Sequence, residues 1–394
     1  MARDLKVLII GGGIGGLSAA IAIRFAGHSV TILEAEEEIT EVGAGLQFSA
    51  NATRILIKWG VDKLIVKDVH HLETNGAPFW DIHRHDLIKA LHSMALELGA
   101  EVRVQSRVSD LDFGTGSVVL QNGEVLQGDL VIGADGLNST CRKKLIPDDE
   151  EPEFTGDMAF RVLLNLEDLP PNDPDFLEIT TRPQCTYWLG PSHHAIVYIL
   201  RGGTQINLVA VVPDDLPRGV VRAPCDTGGV LKLFEGFDPL LLEIISQVPQ
   251  TFKWKLRIRP ELKKWSHDSG KFTLLGDAAH PTLPYLSQGA GITLEDAAVL
   301  GQLLTEPIPL AKVLAKYESI RRPRTTSVVK ASSQQQYWYN LPDRPEQRER
   351  DRIMSAEIPQ EEDPFLWKDP VFAPWLFGYD AHEEARKVVG KYPL

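Results

Sequence analysis

Cysteine is scarce in this sequence. The 394 residues include three, Cys141, Cys185 and Cys225, scattered and odd in number. That excludes a disulfide framework and fits a reducing compartment. No apolar run reaches the length of a membrane span, so stable membrane insertion is not expected. Leu5–Ile10 is too short for a secretory signal and runs straight into glycines, which makes a cytoplasmic location the expectation. Dense basic patches are almost missing. Arg321-Arg-Pro-Arg324 stands alone in a chain of net charge −13, which argues against nucleic acid as a partner. His70, His71, His83 and His85 fall into no HExxH-like spacing, so no metal is expected.

What the sequence does have is glycine at the ends of apolar strands. Lys6–Ile10 reads as a buried parallel strand and leads into Gly11-Gly-Gly13-Ile-Gly-Gly16, then a small-residue helix over Leu17–Phe25. This is G-x-G-x-x-G in its required context. Gly11 permits the turn, Gly13 lets the backbone approach a pyrophosphate, and Gly16 lets helix and strand pack closely. A second strand, Ser29–Leu33, ends at Glu34, where an acid can take the ribose hydroxyls of an adenine dinucleotide. A third, Gly128–Gly133, ends in Ala134-Asp135-Gly136, with Ser139 and Arg142 beyond. A fourth, Phe272–Leu275, gives way to Gly276-Asp277. The chain then turns through Pro281 and Pro284 into Gly289-Ala290-Gly291 and a helix over Ile292–Leu304. Asp277 is placed to accept hydrogen bonds from a polyol. The helix N-terminus favours a neighbouring negative charge, as on the pyrimidine edge of a reduced flavin.

Alternating strands and helices imply a parallel sheet. Residues 1–150 and 266–330 are read as one discontinuous domain around it. Asp148–Pro152 reads as a charged linker. The runs Ala159–Leu164, Thr186–Leu189, Ala195–Leu200, Ile206–Val212 and Phe252–Arg257 predict a mixed or antiparallel sheet over 151–265. A long helix and a tail fill 331–394, with Tyr337, Trp338, Tyr339, Trp367 and Trp375 as anchors. Phe372–Phe377 is expected to dock on the body of the protein.

In this order the motifs resemble those of the group A flavoprotein aromatic hydroxylases, in the salicylate hydroxylase-like branch found in aromatic catabolism and secondary metabolism. His83-Arg84-His-Asp86-Leu87, Trp188-Leu-Gly-Pro191, Arg201-Gly-Gly203, Asn207-Leu-Val-Ala210, Tyr317-Glu318, Arg321–Arg324 and Trp375–Asp380 extend the resemblance over nearly the whole chain. It implies an α/β fold: a Rossmann-type FAD-binding domain, a p-hydroxybenzoate hydroxylase-like substrate domain with a mixed β-sheet, and a C-terminal helical tail. It implies FAD held by Gly11, Gly13, Ile14, Gly15 and Gly16, with Glu34 and Ala35 at the adenosine ribose. Arg84 would reach the pyrophosphate or ribityl chain, and Asp277 the ribityl hydroxyls. Gly289, Ala290 and Gly291 would meet the ring. Asp135 and Gly136, in the stretch that ends at Arg142, are associated with both FAD and the nicotinamide cofactor. NADPH or NADH would visit transiently, since no second dinucleotide fingerprint exists. The implied reaction is hydroxylation of a small phenolic or aromatic acid by dioxygen, through a flavin hydroperoxide. A monomer or homodimer is implied.

Strand alternation puts His194, Ile196 and Tyr198 on one face. Either that face lines the pocket, with His194 acting on a phenol proton and Tyr198 on a ring substituent, or it is a half-exposed face. Arg161 pairs either with a substrate carboxylate or phenolate, or with a surface acid. Pro284 and Gln288 would lie over the flavin. His280 suits a structural role at the turn. The stretch Gly60–His83 is shorter than the resemblance implies. A flavin-binding paralogue without this activity, and a non-aromatic oxidase or epoxidase, are the competing readings.

Overall fold

The computed structural model describes residues 4–39, 44–70, 75–168, 174–248 and 250–389. The last four residues of the strand Lys6–Ile10 are all buried, as in a parallel strand covered on both faces. It pairs in parallel with Ser29–Leu33 and Leu130–Gly133. Glu101–Arg103 and Phe272–Leu274 complete a five-stranded sheet, all parallel. Helix Ile14–Phe25 follows the first strand, starting three residues before the expected Leu17. A Cβ on Gly16 would lie 1.9 Å from the carbonyl oxygen of Gly11; only glycine lets the helix turn back this tightly over its strand. Helix Gly289–Leu304, also three residues longer at its start than expected, packs against Ile14–Phe25.

The β-rich half forms a six-stranded sheet in the order Cys185–Gly190, His193–Leu200, Gln205–Pro213, Glu153–Asn165, Gln250–Ile258, Arg222–Asp226. Every pairing in it is antiparallel. One face packs on the helices Thr227–Leu233 and Pro239–Ser246 through Met158, Phe160, Leu208, Phe234 and Ile244. The other face turns toward the parallel sheet. The strand Arg222–Asp226, outside the expected β-runs, carries Pro224; proline is tolerated there because the strand is at the sheet edge.

Two small sheets complete the β-structure. Gly45–Phe48, Phe79–His83 and Lys67–His70 form one, Phe79–His83 in the middle. It spans the shortened stretch, of which residues 71–74 lie outside the described residues. Val108–Asp112, Ser117–Leu120 and Val125–Gln127 form the other.

The charged stretch Asp148–Pro152 is less free than a linker. The Asp149 side chain is 6% exposed and accepts from Arg142 Nε at 2.7 Å and Arg259 Nη1 at 2.7 Å. The 30-residue helix Leu310–Tyr339 carries the tail. Leu376 packs with Ile292 and Val328, a burial that contributes roughly 1.5–3 kcal/mol for such a side chain. Arg324 Nη2 donates to Leu376 O at 2.9 Å, and Arg54 Nη1 to Tyr379 O at 2.7 Å. The aromatic tail therefore docks on the body. Among the described residues no helix is long and apolar enough to cross a membrane, and no cluster of His, Cys, Asp or Glu could hold a metal ion.

Candidate active site

A cavity of about 400 Å³ lies between the C-terminal ends of the parallel strands and the inner face of the antiparallel sheet, where open α/β sheets bind ligands.

One wall is built from helix starts. Helix Ile14–Phe25 begins at Gly13 with no side-chain cap and no acid in its first turn. Gly13, Ile14 and Gly15 line the cavity, and a Cβ added to Gly13 would meet nothing within 4 Å. Helix Gly289–Leu304 is likewise uncapped and free of acids in its first turn, with Gly289 and Ala290 at the cavity. Each helix thus offers unsatisfied N–H groups and the positive end of its dipole to one space, which suits a ligand with two separate anionic parts. Glu34 ends its strand as expected and accepts from Gly12 N at 2.6 Å and Glu36 N at 2.9 Å. Glu34, Ala35, Gly11, Gly16 and Gly291 do not line the cavity.

Arg84, Asp277, Pro284 and Gly136 all face the cavity. Burial and the nearby Arg161 charge pull the Arg84 pKa down, and Asp277 opposes them. Burial pushes the Asp277 carboxyl up, against His280 and Arg84.

Three further expected residues turn their side chains away from the cavity. Gln288 is 1% exposed and absent from the cavity wall. Its amide donates to Ser49 Oγ at 2.9 Å and accepts from Asn51 Nδ2 at 3.1 Å, so the side chain points back into the protein. Asp135 spends its carboxylate on the next helix, accepting from Ser139 Oγ, Thr140 N and Cys141 N at 2.5–3.1 Å. Arg142 is fully buried and saturated by Asp149, Ala279 O and Pro260 O. His280 sits in the turn with Nε2 2.5 Å from Asp296 Oδ2.

The opposite wall is the face carrying His194, Ile196 and Tyr198, all three of which line the cavity. His194 is 1% exposed, its Nδ1 3.0 Å from Asn340 Oδ1, its ring packed between Tyr285 and Tyr339 at 5.5 and 5.3 Å. Burial lowers its pKa to about 4, so it is neutral near pH 7. Burial pushes the Tyr198 phenol well up, with Asp81 and Cys185 adding to the shift and Arg161 opposing it. Arg161 and Asp277 keep accessible surface although protein encloses them, because both stand in the cavity. The Arg161 guanidinium has no ion pair or hydrogen bond among the described residues, and burial draws its pKa down.

Sequence reasoning missed Gly45, whose N–H donates to Asn207 Oδ1 at 2.8 Å. A Cβ there would lie 2.5 Å from the Tyr198 hydroxyl, so glycine is what lets Tyr198 lie across this strand. No motif flags it, since the two residues meet only when the small sheet docks on the large one. Lys255 and Arg257 add further positive charge to the wall.

The chain matches the model of the FAD binding domain family over residues 4–218 and 242–332. It is 42% identical over 423 aligned positions to FAD-dependent monooxygenase OpS4 of Beauveria bassiana (strain ARSEF 2860), covering 100% of this chain and 99% of the relative. Those 423 positions against 394 residues leave at least 29 positions of the relative without a counterpart here. It is 32% identical to 3-amino-4-hydroxybenzoate 2-monooxygenase of Streptomyces cremeus, covering 96% of each chain. A solved salicylate hydroxylase substrate complex superposes with a TM-score of 0.78 at 22% identity, covering 99% of both chains, a likeness of fold.

Proposed function

We propose, from the premise that this chain belongs to the FAD binding domain family and is an FAD-dependent monooxygenase of the aromatic hydroxylase group, that it hydroxylates a small phenolic or aromatic acid with dioxygen and NADH or NADPH. The observation that carries the substrate class is Arg161. A guanidinium standing in the cavity without a counter-ion favours an anionic ligand, and a carboxylate matches its planar fork with two charge-assisted hydrogen bonds. His194 and Tyr198 stand on the same wall, positioned for a ring hydroxyl. A hydroxybenzoate substrate in the S. cremeus relative's name agrees with that chemistry.

On the facing wall the N–H groups at Gly13–Gly15 would take the FAD pyrophosphate, and Glu34 the ribose hydroxyls. Arg84 and Asp277 would hold the phosphate and ribityl chain, and Gly289-Ala290 the pyrimidine edge. Bound FAD supplies the activation of dioxygen. The protein orients the aromatic ring between the walls and excludes water. It moves one proton, from the substrate hydroxyl to His194 Nε2, which raises electron density in the ring.

The test uses FAD-loaded protein, a panel of hydroxybenzoates and ¹⁸O₂. One ¹⁸O atom should enter the aromatic product for each NAD(P)H consumed with the correct substrate. Oxidation of NAD(P)H that leaves every aromatic acid unlabelled would remove the proposal.

Arg161→Gln gives a more local expectation. Loss of a charge-assisted pair worth about 1.5–3 kcal/mol should raise KM for the carboxylated substrate by roughly 10- to 100-fold. The phenol lacking the carboxylate should change little. Equal effects on both compounds would take Arg161 out of carboxylate recognition.

A further inference from the structure

We propose that Asn340, oriented by Asp157, is a positioning residue that locks His194 as its Nδ1–H tautomer and presents a bare Nε2 to the cavity. The inference rests on the proposed hydroxylation site and adds two residues that do not line it.

Asn340 caps the end of the long helix Leu310–Tyr339, and Asp157 belongs to the strand Glu153–Asn165. One oxygen of Asp157 gathers three donors: Tyr285 Oη at 2.5 Å, Gln336 Nε2 at 2.7 Å and Asn340 Nδ2 at 2.9 Å. A carboxylate only accepts, so it selects the NH₂ end of the Asn340 amide. The Oδ1 end is then forced toward His194, where it lies 3.0 Å from Nδ1. An amide oxygen also only accepts, so Nδ1 carries the proton. A neutral imidazole has one N–H, so Nε2 is left with its lone pair. Nε2 has no hydrogen-bond partner among the described residues, while the ring lies at the cavity wall.

The choice of an amide as partner matters. A carboxylate in direct contact would fix the same tautomer and also favour the imidazolium. The interposed amide passes on orientation without placing an anion against the ring. His194 therefore stays neutral and able to take a proton. When it does, the proton leaves the substrate O–H, the bonding pair stays on the oxygen, and Nδ1–H remains on Asn340 Oδ1. The tilted ring of Tyr285 and the edge-on ring of Tyr339 hold the imidazole plane, so the relay fixes both tautomer and direction. It also ties together three elements: the strand through Asp157, the helix end through Asn340, and the turn after Pro284 through Tyr285.

The experiment is a long-range ¹H–¹⁵N spectrum of FAD-loaded protein labelled with ¹⁵N-histidine, with His194 assigned by the signal missing in His194→Gln. A pyrrole-like Nδ1 and a pyridine-like Nε2 are expected. A protonated Nε2 in the wild-type protein overturns the proposal, whether or not any variant folds. Asn340→Leu should shift His194 toward the Nε2–H form and lower kcat by about 10²-fold, with KM changed less than threefold. Asp157→Asn, which can still accept from Asn340, should keep the wild-type tautomer. An unchanged tautomer in Asn340→Leu, or a loss confined to KM, also overturns it. The spectrum is independent of turnover, so a locked tautomer in a protein that hydroxylates no aromatic acid would sink the proposed function and leave the relay standing.

Discussion

Arg321→Ala is expected to destabilise the protein by about 3–5 kcal/mol, the usual consequence of removing one partner from a buried ion cluster. Arg321 is fully buried. Its Nε donates to Asp296 Oδ1 at 2.7 Å, its Nη2 to Ile292 O at 3.1 Å, and its Nη1 lies 2.7 Å from Glu295 Oε2. Burial alone would lower its pKa, but Glu295, Tyr379 and Asp296 together raise it well above the ordinary arginine range. The two acids have other partners: Arg324 holds Glu295 at 2.8 Å, and His280 holds Asp296. Neither replaces the charge that alanine would remove, so two fully buried carboxylates would share fewer cations. For a chain of this size the apparent Tm should fall by roughly 4–6 °C. Asp296 also accepts from Gly276 N at 3.0 Å, next to Asp277, so FAD retention should weaken in the same variant. Arg321→Lys keeps the charge but loses the fork and should fall between the two. A thermal melt of Arg321→Ala that matches the wild type would show that the cluster contributes no net stability.

This cluster also marks how far a sequence can be read. Arg321-Arg-Pro-Arg324 is conspicuous as a basic patch, and a run of basic residues in sequence does not say which side chains are buried. Arg321 and Arg324 are buried against consecutive acids 25 and 29 residues away. The glycine turns were legible because strand, turn and helix are contiguous, and each step is decided by local backbone geometry. The face carrying His194, Ile196 and Tyr198 was legible as a face, because side chains alternate along a strand. Which side of the sheet met the cavity was not, since that depends on docking against the other half of the chain. Gln288 shows the converse. The family resemblance puts it over the flavin, but Ser49 and Asn51, distant in sequence, capture its amide. Asp157 and Asn340 lie 183 residues apart and carry no motif, so nothing short of the folded structure brings them to His194. The helices Thr227–Leu233 and Pro239–Ser246 were passed over for another reason: both are short, and periodicity needs longer windows to declare itself.

The other large effect is expected at His194. His194→Ala should lower kcat for hydroxylation by about 10²–10⁴, the range that a positioned general base supplies, while FAD stays bound because His194 lies on the wall away from the uncapped helices. The alanine also opens space beside Tyr285 and Tyr339, so His194→Gln, closer in size, is the better control and should lose nearly as much. Its pH behaviour adds a second constraint. Burial sets the His194 pKa at about 4, below the ordinary value near 6.5, so the base is already free at neutral pH. Activity should not titrate with a pKa near 6.5 through this residue; protonation removes it only as the pH falls toward 4. Stability follows the same shift. The unfolded histidine binds a proton more readily than the folded one, so the contribution is fully present above about pH 6.5 and is lost as pH drops through the folded pKa, on the order of 3 kcal/mol in all. His194→Gln should therefore be less sensitive to acid between pH 6.5 and 4 than the wild type, even as it loses turnover. Turnover of His194→Gln equal to wild type would remove the residue from proton transfer. An acid-unfolding curve unchanged by the substitution would show that its burial does not govern the titration.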